Sequence, residues 1–223
     1  KNSNLVVSGC GSNMMIHNAF FDTVNISPRK ILTIKPKFKY KFNDGFTNIG
    51  IHIRGDDTAR IAPRESSAHL ESYYKKSIDF VIDKVNSPKF YVCTDDVSYA
   101  VFKNVIQYLA EKNIPWCLGP ATKNPVDNWT HGIEHIKDFS LLLDCDVLIA
   151  SSSTYSAAAA LLGKDKKIIH SKEWISRNIP GETYFKWGNY TDEYPESYWR
   201  SFDDFWVHVS RFNNCFYTPW SLI

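Results

Sequence analysis

A histidine and an arginine two residues apart, where an apolar strand breaks into a glycine and two aspartates, form the densest chemistry in this 223-residue chain. The stretch reads Asn48-Ile49-Gly50-Ile51-His52-Ile53-Arg54-Gly55-Asp56-Asp57. Side chains alternate along a strand, so Ile49, Ile51 and Ile53 point one way while His52 and Arg54 point the other, toward the strand's exit. A planar guanidinium offers paired donors to phosphate oxygens and stays charged at working pH, which suits Arg54 to gripping an anion. A salt bridge at a strand end is the plainer reading of an isolated H-x-R. Two further polar groups strengthen the chemical reading. Thr94, Asp95 and Asp96 close a second apolar run, and Ser151, Ser152, Ser153 and Thr154 precede an alanine-rich one. Hydroxyls and unpaired N–H groups at the positive end of a helix suit a phosphate. Simple N-capping would use only one of those four residues. Asp144-Cys145-Asp146 has the spacing of a metal-binding D-x-D, but it sits where a helix enters an apolar strand, and we read it as structural.

The elements that would carry these groups alternate from residue 48 onward. A strand over Asn48–Arg54 leads through a Pro63-containing loop to a helix near Leu70–Val85, where Tyr74, Ile78, Val81, Ile82 and Val85 recur at helical spacing. A strand at Lys89–Thr94, a helix near Ser98–Glu111 and a short strand at Pro115–Leu118 follow, then a loop from Gly119 to Thr130. Helix Ile133–Leu143, strand Val147–Ala150, helix Tyr155–Leu162 ended by Gly163, and strand Lys167–His170 complete the series. Such alternation predicts right-handed βαβ crossovers and an α/β fold with a Rossmann-like parallel sheet. Ligands of these sheets bind beyond the carboxyl ends of the strands, where all three polar groups fall.

Composition narrows the function classes. With 43% hydrophobic residues the chain can build a large core, and 26 basic against 24 acidic residues leave no nucleic-acid footprint. Lys30, Lys35, Lys37, Lys39 and Lys41 read as a solvated face. Asp144 and Asp146 interrupt the longest apolar run, so no transmembrane segment is expected, and Lys1-Asn2-Ser3 does not open a signal peptide. The missing initiator Met is expected of a piece of a longer polypeptide with other domains. Cys10, Cys93, Cys117, Cys145 and Cys215 lack metal spacing and read as reduced thiols. Sequons at Asn25, Asn128 and Asn189 do not fix a compartment; cytoplasmic and Golgi-lumenal settings stay open. Aromatic residues crowd the end of the chain from Tyr184 to Trp220, a packing surface that could also face sugars.

Taken in order, HIRGDD after an apolar strand, SYYKKSIDFV, KFYVCTDD and DFSLLLDCDVLIASSSTYSAAAALL resemble the H-x-R fucosyltransferases. These are the α-1,2-fucosyltransferases with their α-1,6 and protein O-fucosyltransferase relatives. The resemblance spans residues 48 to about 175. Upstream, Phe20-Phe21 and the run from Ile31 to Lys35 look like the segment before the signature strand. It implies a GT-B-like enzyme with a reduced or missing N-terminal half. Residues 1–45 would be a remnant of the acceptor-side region, 46–175 the GDP-sugar-binding domain, and 176–223 an aromatic segment packing back on it.

The implied reaction is inverting transfer of fucose from GDP-fucose, as donor substrate, to a hydroxyl of an oligosaccharide acceptor, with no metal or other cofactor. Arg54 would hold the β-phosphate, His52 would support the nucleotide or the arginine, an acid of Asp95-Asp96 would face guanine or ribose, and Ser152 to Thr154 would meet the diphosphate, with Thr94 and Ser151 also in the nucleotide-sugar site. The α-1,2 members usually show H-x-R-R-G-D, whereas here Gly55 follows Arg54 directly. Asp56 or Asp57 could therefore take the acidic position, and either could accept the acceptor's proton or orient Arg54. Transfer of another nucleotide sugar, and a non-catalytic nucleotide- or glycan-binding domain, are the alternatives.

Overall fold

The computed structural model describes residues 34–42, 45–55, 64–123, 133–151, 153–163, 166–169 and 217–218. Five strands and the helices between them build the α/β Rossmann-like sheet. They are β1 (Thr47–Ile53), β2 (Pro88–Thr94), β3 (Trp116–Leu118), β4 (Val147–Ile149) and β5 (Lys167–Ile169), and Tyr217–Thr218 adds a two-residue β6. All pairings are parallel, in the order β3-β2-β1-β4-β5-β6. The chain runs outward from β1 to β3, then returns to β1's other side with β4. β1 and β4 therefore flank the switch point at which doubly wound sheets open a crevice.

Alternation along β1 divides the core. Ile49, Ile51 and Ile53 join Phe90, Val92, Val147 and Ile149 on the face covered by α1 (Arg64–Lys84) and α2 (Ala100–Glu111). α2 turns Val101, Phe102, Val105 and Leu109 inward at helical spacing. It ends with Asn113 at φ 52°, and the N–H groups of Asn113 and Ile114 return to Ala110 and Leu109. That left-handed residue supplies the reversal that lets β3 follow at once.

The opposite face carries α4 (Ile133–Asp144) and α5 (Thr154–Leu162) over Tyr91, Cys93, Leu148 and Ile168. Gly50 is the point of closest approach: a Cβ there would lie 3.0 Å from both Cys145 Sγ and Leu142 Cδ2. Lys166, itself buried, caps the end of α4 by donating to the carbonyls of Leu142 and Leu143. Tyr40 and Phe42 pack edge-on against Tyr91, while Lys35, Lys37, Lys39 and Lys41 are exposed.

Several expectations change in detail. α1 starts at Arg64 rather than Leu70, because Arg64-Glu65-Ser66-Ser67 is compatible with a helix yet carries no apolar period. Within the expected loop after Gly119 lies a single turn, α3 (Pro120–Lys123), too short to show periodicity. α2 begins at Ala100 rather than Ser98, because Asp96 ties Ser98 into a turn. Strand β4 ends one residue earlier than expected, although Ala150 N still donates to Ile169 O, and His170, expected to close β5, lies outside the described residues. Cys93 and Cys145 are buried thiols and Cys117 is partly buried. Cys10, Cys215, Lys30, the three sequons, Phe20-Phe21, Ile31 to Thr33 and the run from Tyr184 to Phe216 lie outside the described residues. Among the described residues no helix is long and apolar enough to cross a membrane.

Candidate functional site

At the carboxyl end of β1, two neighbouring strands take hold of the H-x-R pair from opposite sides. On the β2 side, Arg54 Nη1 lies 2.5 Å from Asp95 Oδ2, and Gly55 N donates to Asp95 Oδ1 at 2.7 Å. One carboxylate thus fixes both the guanidinium and the peptide after it. The close approach requires glycine, since a Cβ on Gly55 would fall 2.8 Å from Asp96 Cβ. Asp96 serves the turn itself, accepting from Ser98 N at 2.8 Å and Ser98 Oγ at 2.6 Å. Thr94 is buried, its N–H donating to Thr122 Oγ1.

On the β4 side, His52 is almost fully buried and its Nδ1 meets Ser151 Oγ at 2.7 Å and Ser156 Oγ at 2.6 Å. Burial first, and the neighbouring Arg54 charge second, push the imidazole down to about 3, so it is neutral at working pH. Ser153 caps α5 by accepting from Tyr155 N. The hydroxyl loop is therefore divided: Ser151 faces the histidine and Ser153 caps the helix. Thr154 opens α5, while Asp56, Asp57 and Ser152 lie outside the described residues.

A cleft of about 550 Å³ opens at these strand ends. His52, Arg54, Thr94 and Asp95 line it from the strands, and His135, Ile136, Asp138 and Phe139 of α4 line it with Tyr155 and Ile34. The histidine ring, Tyr155 and Phe139 form a chain of aromatic contacts with centroids 5.0 and 5.1 Å apart. Tyr155 also donates its hydroxyl to His135 O at 2.7 Å. From below, Tyr73 donates toward Ala150 O and Ile169 O, and Tyr74 donates to His52 O. The adjacent tyrosines of SYYKKSIDFV thereby tie the ends of β1, β4 and β5 to α1.

Asp138 is the chemically potent residue that the motifs missed. Its Oδ1 accepts from Ala121 N at 2.9 Å at the start of α3, and Thr122 Oγ1 lies 3.4 Å from Oδ2. Burial nonetheless pushes its carboxyl up to about 6 against those hydrogen bonds. An aspartate on the inward stripe of a helix, three residues before Leu141, was the available signal. Among the described residues no cluster of three His, Cys, Asp or Glu side chains could hold a metal ion. Asp146 Oδ2 accepts from Asn48 N at 2.8 Å, and Cys145 donates to Leu142 O. No protein-family model, curated protein or solved structure matches this chain. The arrangement can hold an anion at Arg54, accept or donate one hydrogen bond at His52, and stack a flat or apolar group against α4.

Proposed function

We propose that the chain is the nucleotide-sugar-binding part of a GT-B-like inverting glycosyltransferase that transfers fucose from GDP-fucose to a hydroxyl of a glycan. The observation carrying this reading is a guanidinium, braced by Asp95, that lines a cleft at the switch point of a parallel sheet. A departing GDP gains negative charge as the sugar bond breaks. Arg54 and the N-terminus of α5 would stabilise that charge without a divalent ion. A guanidinium carries five donors, so bracing by one carboxylate is compatible with gripping phosphate oxygens. Asp56 or Asp57 would take the acceptor's proton. For Asp95 or Asp96 to read guanine, either would have to exchange its present bonds to Arg54, Gly55 or Ser98 for the base.

That last requirement favours a second reading, a nucleotide- or glycan-binding domain without turnover, in which the Arg54–Asp95 pair is mainly structural. Thermal shift with GDP, UDP and ADP tests the nucleotide reading. A nucleotide at 100 times its dissociation constant stabilises by about 2.7 kcal/mol. GDP should raise the melting temperature well above UDP and ADP, and equal shifts would sink the guanine assignment. Release of fucose from GDP-fucose in the absence of acceptor would support a catalytic centre; binding with no release would support the module.

A further inference from the structure

We propose that Thr122 is a positioning residue for the Arg54 site: its hydroxyl stands in for a strand that β3 does not supply, and holds the Thr94 peptide from which Asp95 braces the arginine. The register of the sheet shows why a stand-in is needed. In a parallel pair, a residue donates its N–H to the carbonyl before its partner and accepts from the N–H after it. Phe90, paired with Trp116, donates to Pro115 O, and Val92, paired with Leu118, accepts from Gly119 N, both at 2.9 Å. The next step of this ladder would join Thr94 N to Gly119 O and Thr94 O to Ala121 N.

Both of those partners are engaged elsewhere. β3 ends at Leu118, and the turn of α3 directs Gly119 O to Lys123 N at 2.8 Å. Ala121 N donates to Asp138 Oδ1 at 2.9 Å. Buried peptide groups require partners, and Thr122 Oγ1 serves the two that remain. It accepts from Thr94 N at 2.8 Å and donates toward Thr94 O at 3.2 Å, with Asp138 Oδ2 a second acceptor at 3.4 Å. Thr122 is buried and does not line the cleft, so it acts through Thr94.

The Thr94 side chain completes the hold. Its Oγ1 accepts from Asp96 N at 3.2 Å and donates toward Asp96 O at 3.3 Å. One hydroxyl therefore fixes the peptide before Asp95 and another the peptide after it, and Asp95 in turn takes Arg54 Nη1 and Gly55 N. The Gly55 amide thus reports whether the carboxylate is seated. Only the use of Arg54 for a phosphate rests on the nucleotide reading; the seating of Asp95 does not.

Native-state hydrogen exchange of the ligand-free chain tests that seat. Thr122→Val keeps the side-chain shape without the hydroxyl, and should speed Gly55 exchange at least about tenfold beyond any change at Ile51, in the middle of β1. Thr122→Ser should restore Gly55 protection to within about threefold of the wild type. Tyr108→Phe, which removes a bond to Asp79 between α2 and α1, should speed Gly55 no more than Ile51. Equal acceleration of Gly55 and Ile51 in Thr122→Val would reduce Thr122 to a general stability role and overturn the proposal, as would an unprotected Gly55 amide in the wild type. Should Thr122→Val fail to fold, the wild type still decides: the Thr122 hydroxyl proton should exchange slowly with water and cross-relax with Thr94 N–H, and a freely exchanging hydroxyl would overturn the assignment. Inorganic pyrophosphate should bind the wild type and Thr122→Ser alike, and Thr122→Val about tenfold more weakly. Failure of pyrophosphate to bind the wild type would defeat the anion reading of Arg54, while the Gly55 exchange rates still decided the positioning role.

Discussion

Two buried groups at the cleft titrate in opposite directions, and together they should hide one another in the stability of the wild-type chain. His52 is pushed from the ordinary 6.5 to about 3, so the unfolded chain binds its proton first as pH falls. Its contribution is present above pH 6.5 and is lost on acidification. At pH 5 the loss is roughly 2 kcal/mol, taking about 1.4 kcal/mol per pH unit. Asp138 is pushed from 3.8 to about 6, so the folded chain binds its proton first. Its penalty is about 3 kcal/mol at pH 7 and declines as pH falls through 6, returning about 1 kcal/mol by pH 5. The two changes therefore largely offset one another between pH 7 and 5.

Substitution should unmask each half. Asp138→Asn keeps an oxygen to accept from Ala121 N but cannot ionise, so its stability should fall about 2 kcal/mol more steeply between pH 7 and 5 than an unperturbed site would give. His52→Gln should instead gain about 1 kcal/mol over the same range. The remaining histidines and carboxylates are common to all three proteins, so differences between their profiles isolate the two sites. Urea unfolding followed by tryptophan fluorescence at pH 7, 6 and 5 measures the profiles. If Asp138→Asn keeps the shallow profile of the wild type, the opposition of the two groups is wrong.

On the proposed transferase reading, Arg54→Ala should lower kcat at least about a hundredfold, and Arg54→Lys should recover little because a point charge cannot reproduce the fork. The half-exposed Arg54–Asp95 pair should cost no more than about 1 kcal/mol of stability in the same variant, so full turnover would remove Arg54 from the mechanism. On the same reading, fucose transfer should survive EDTA; complete loss restored by Mn²⁺ or Mg²⁺ would return the paired aspartates to consideration as metal ligands. Gly55→Ala should cost about 1–3 kcal/mol and weaken GDP binding, because the new methyl collides with Asp96 Cβ and drives the arginine strand away from Asp95; unchanged thermal shifts would refute that coupling. Lys166→Met should destabilise by about 2 kcal/mol by leaving the Leu142 and Leu143 carbonyls without their buried donor, as urea unfolding would show.

Much of the frame was legible because the strands are short apolar runs bounded by turns, and because Ile49, Ile51 and Ile53 alternate with the residues that would act. Strand order was harder to read. Apolar runs declare burial, but they do not say that β4 returns beside β1, and that return is what brings Ser151 and Ser156 to His52. The cleft wall was missed for the same reason. His135, Asp138 and Tyr155 reach the strand ends only because α4 and α5 cross over that face of the sheet. Ser156 lies within an alanine-rich stretch, where a small polar residue reads as helix filler until its partner across the fold is known.

Strand order also explains why an H-x-R of such low intrinsic specificity can become a defined site. On an edge strand its two side chains would meet one neighbour, and a salt bridge would be the ordinary result. β1 lies between β2 and β4, so Arg54 is braced from one side by Asp95 and His52 from the other by Ser151 and Ser156. Neither brace depends on the other's residues. An anion drawn to the arginine and a hydrogen-bonding group drawn to the histidine can therefore be held at a spacing fixed by the two-residue repeat of the strand, with little reorganisation left to the moment of binding.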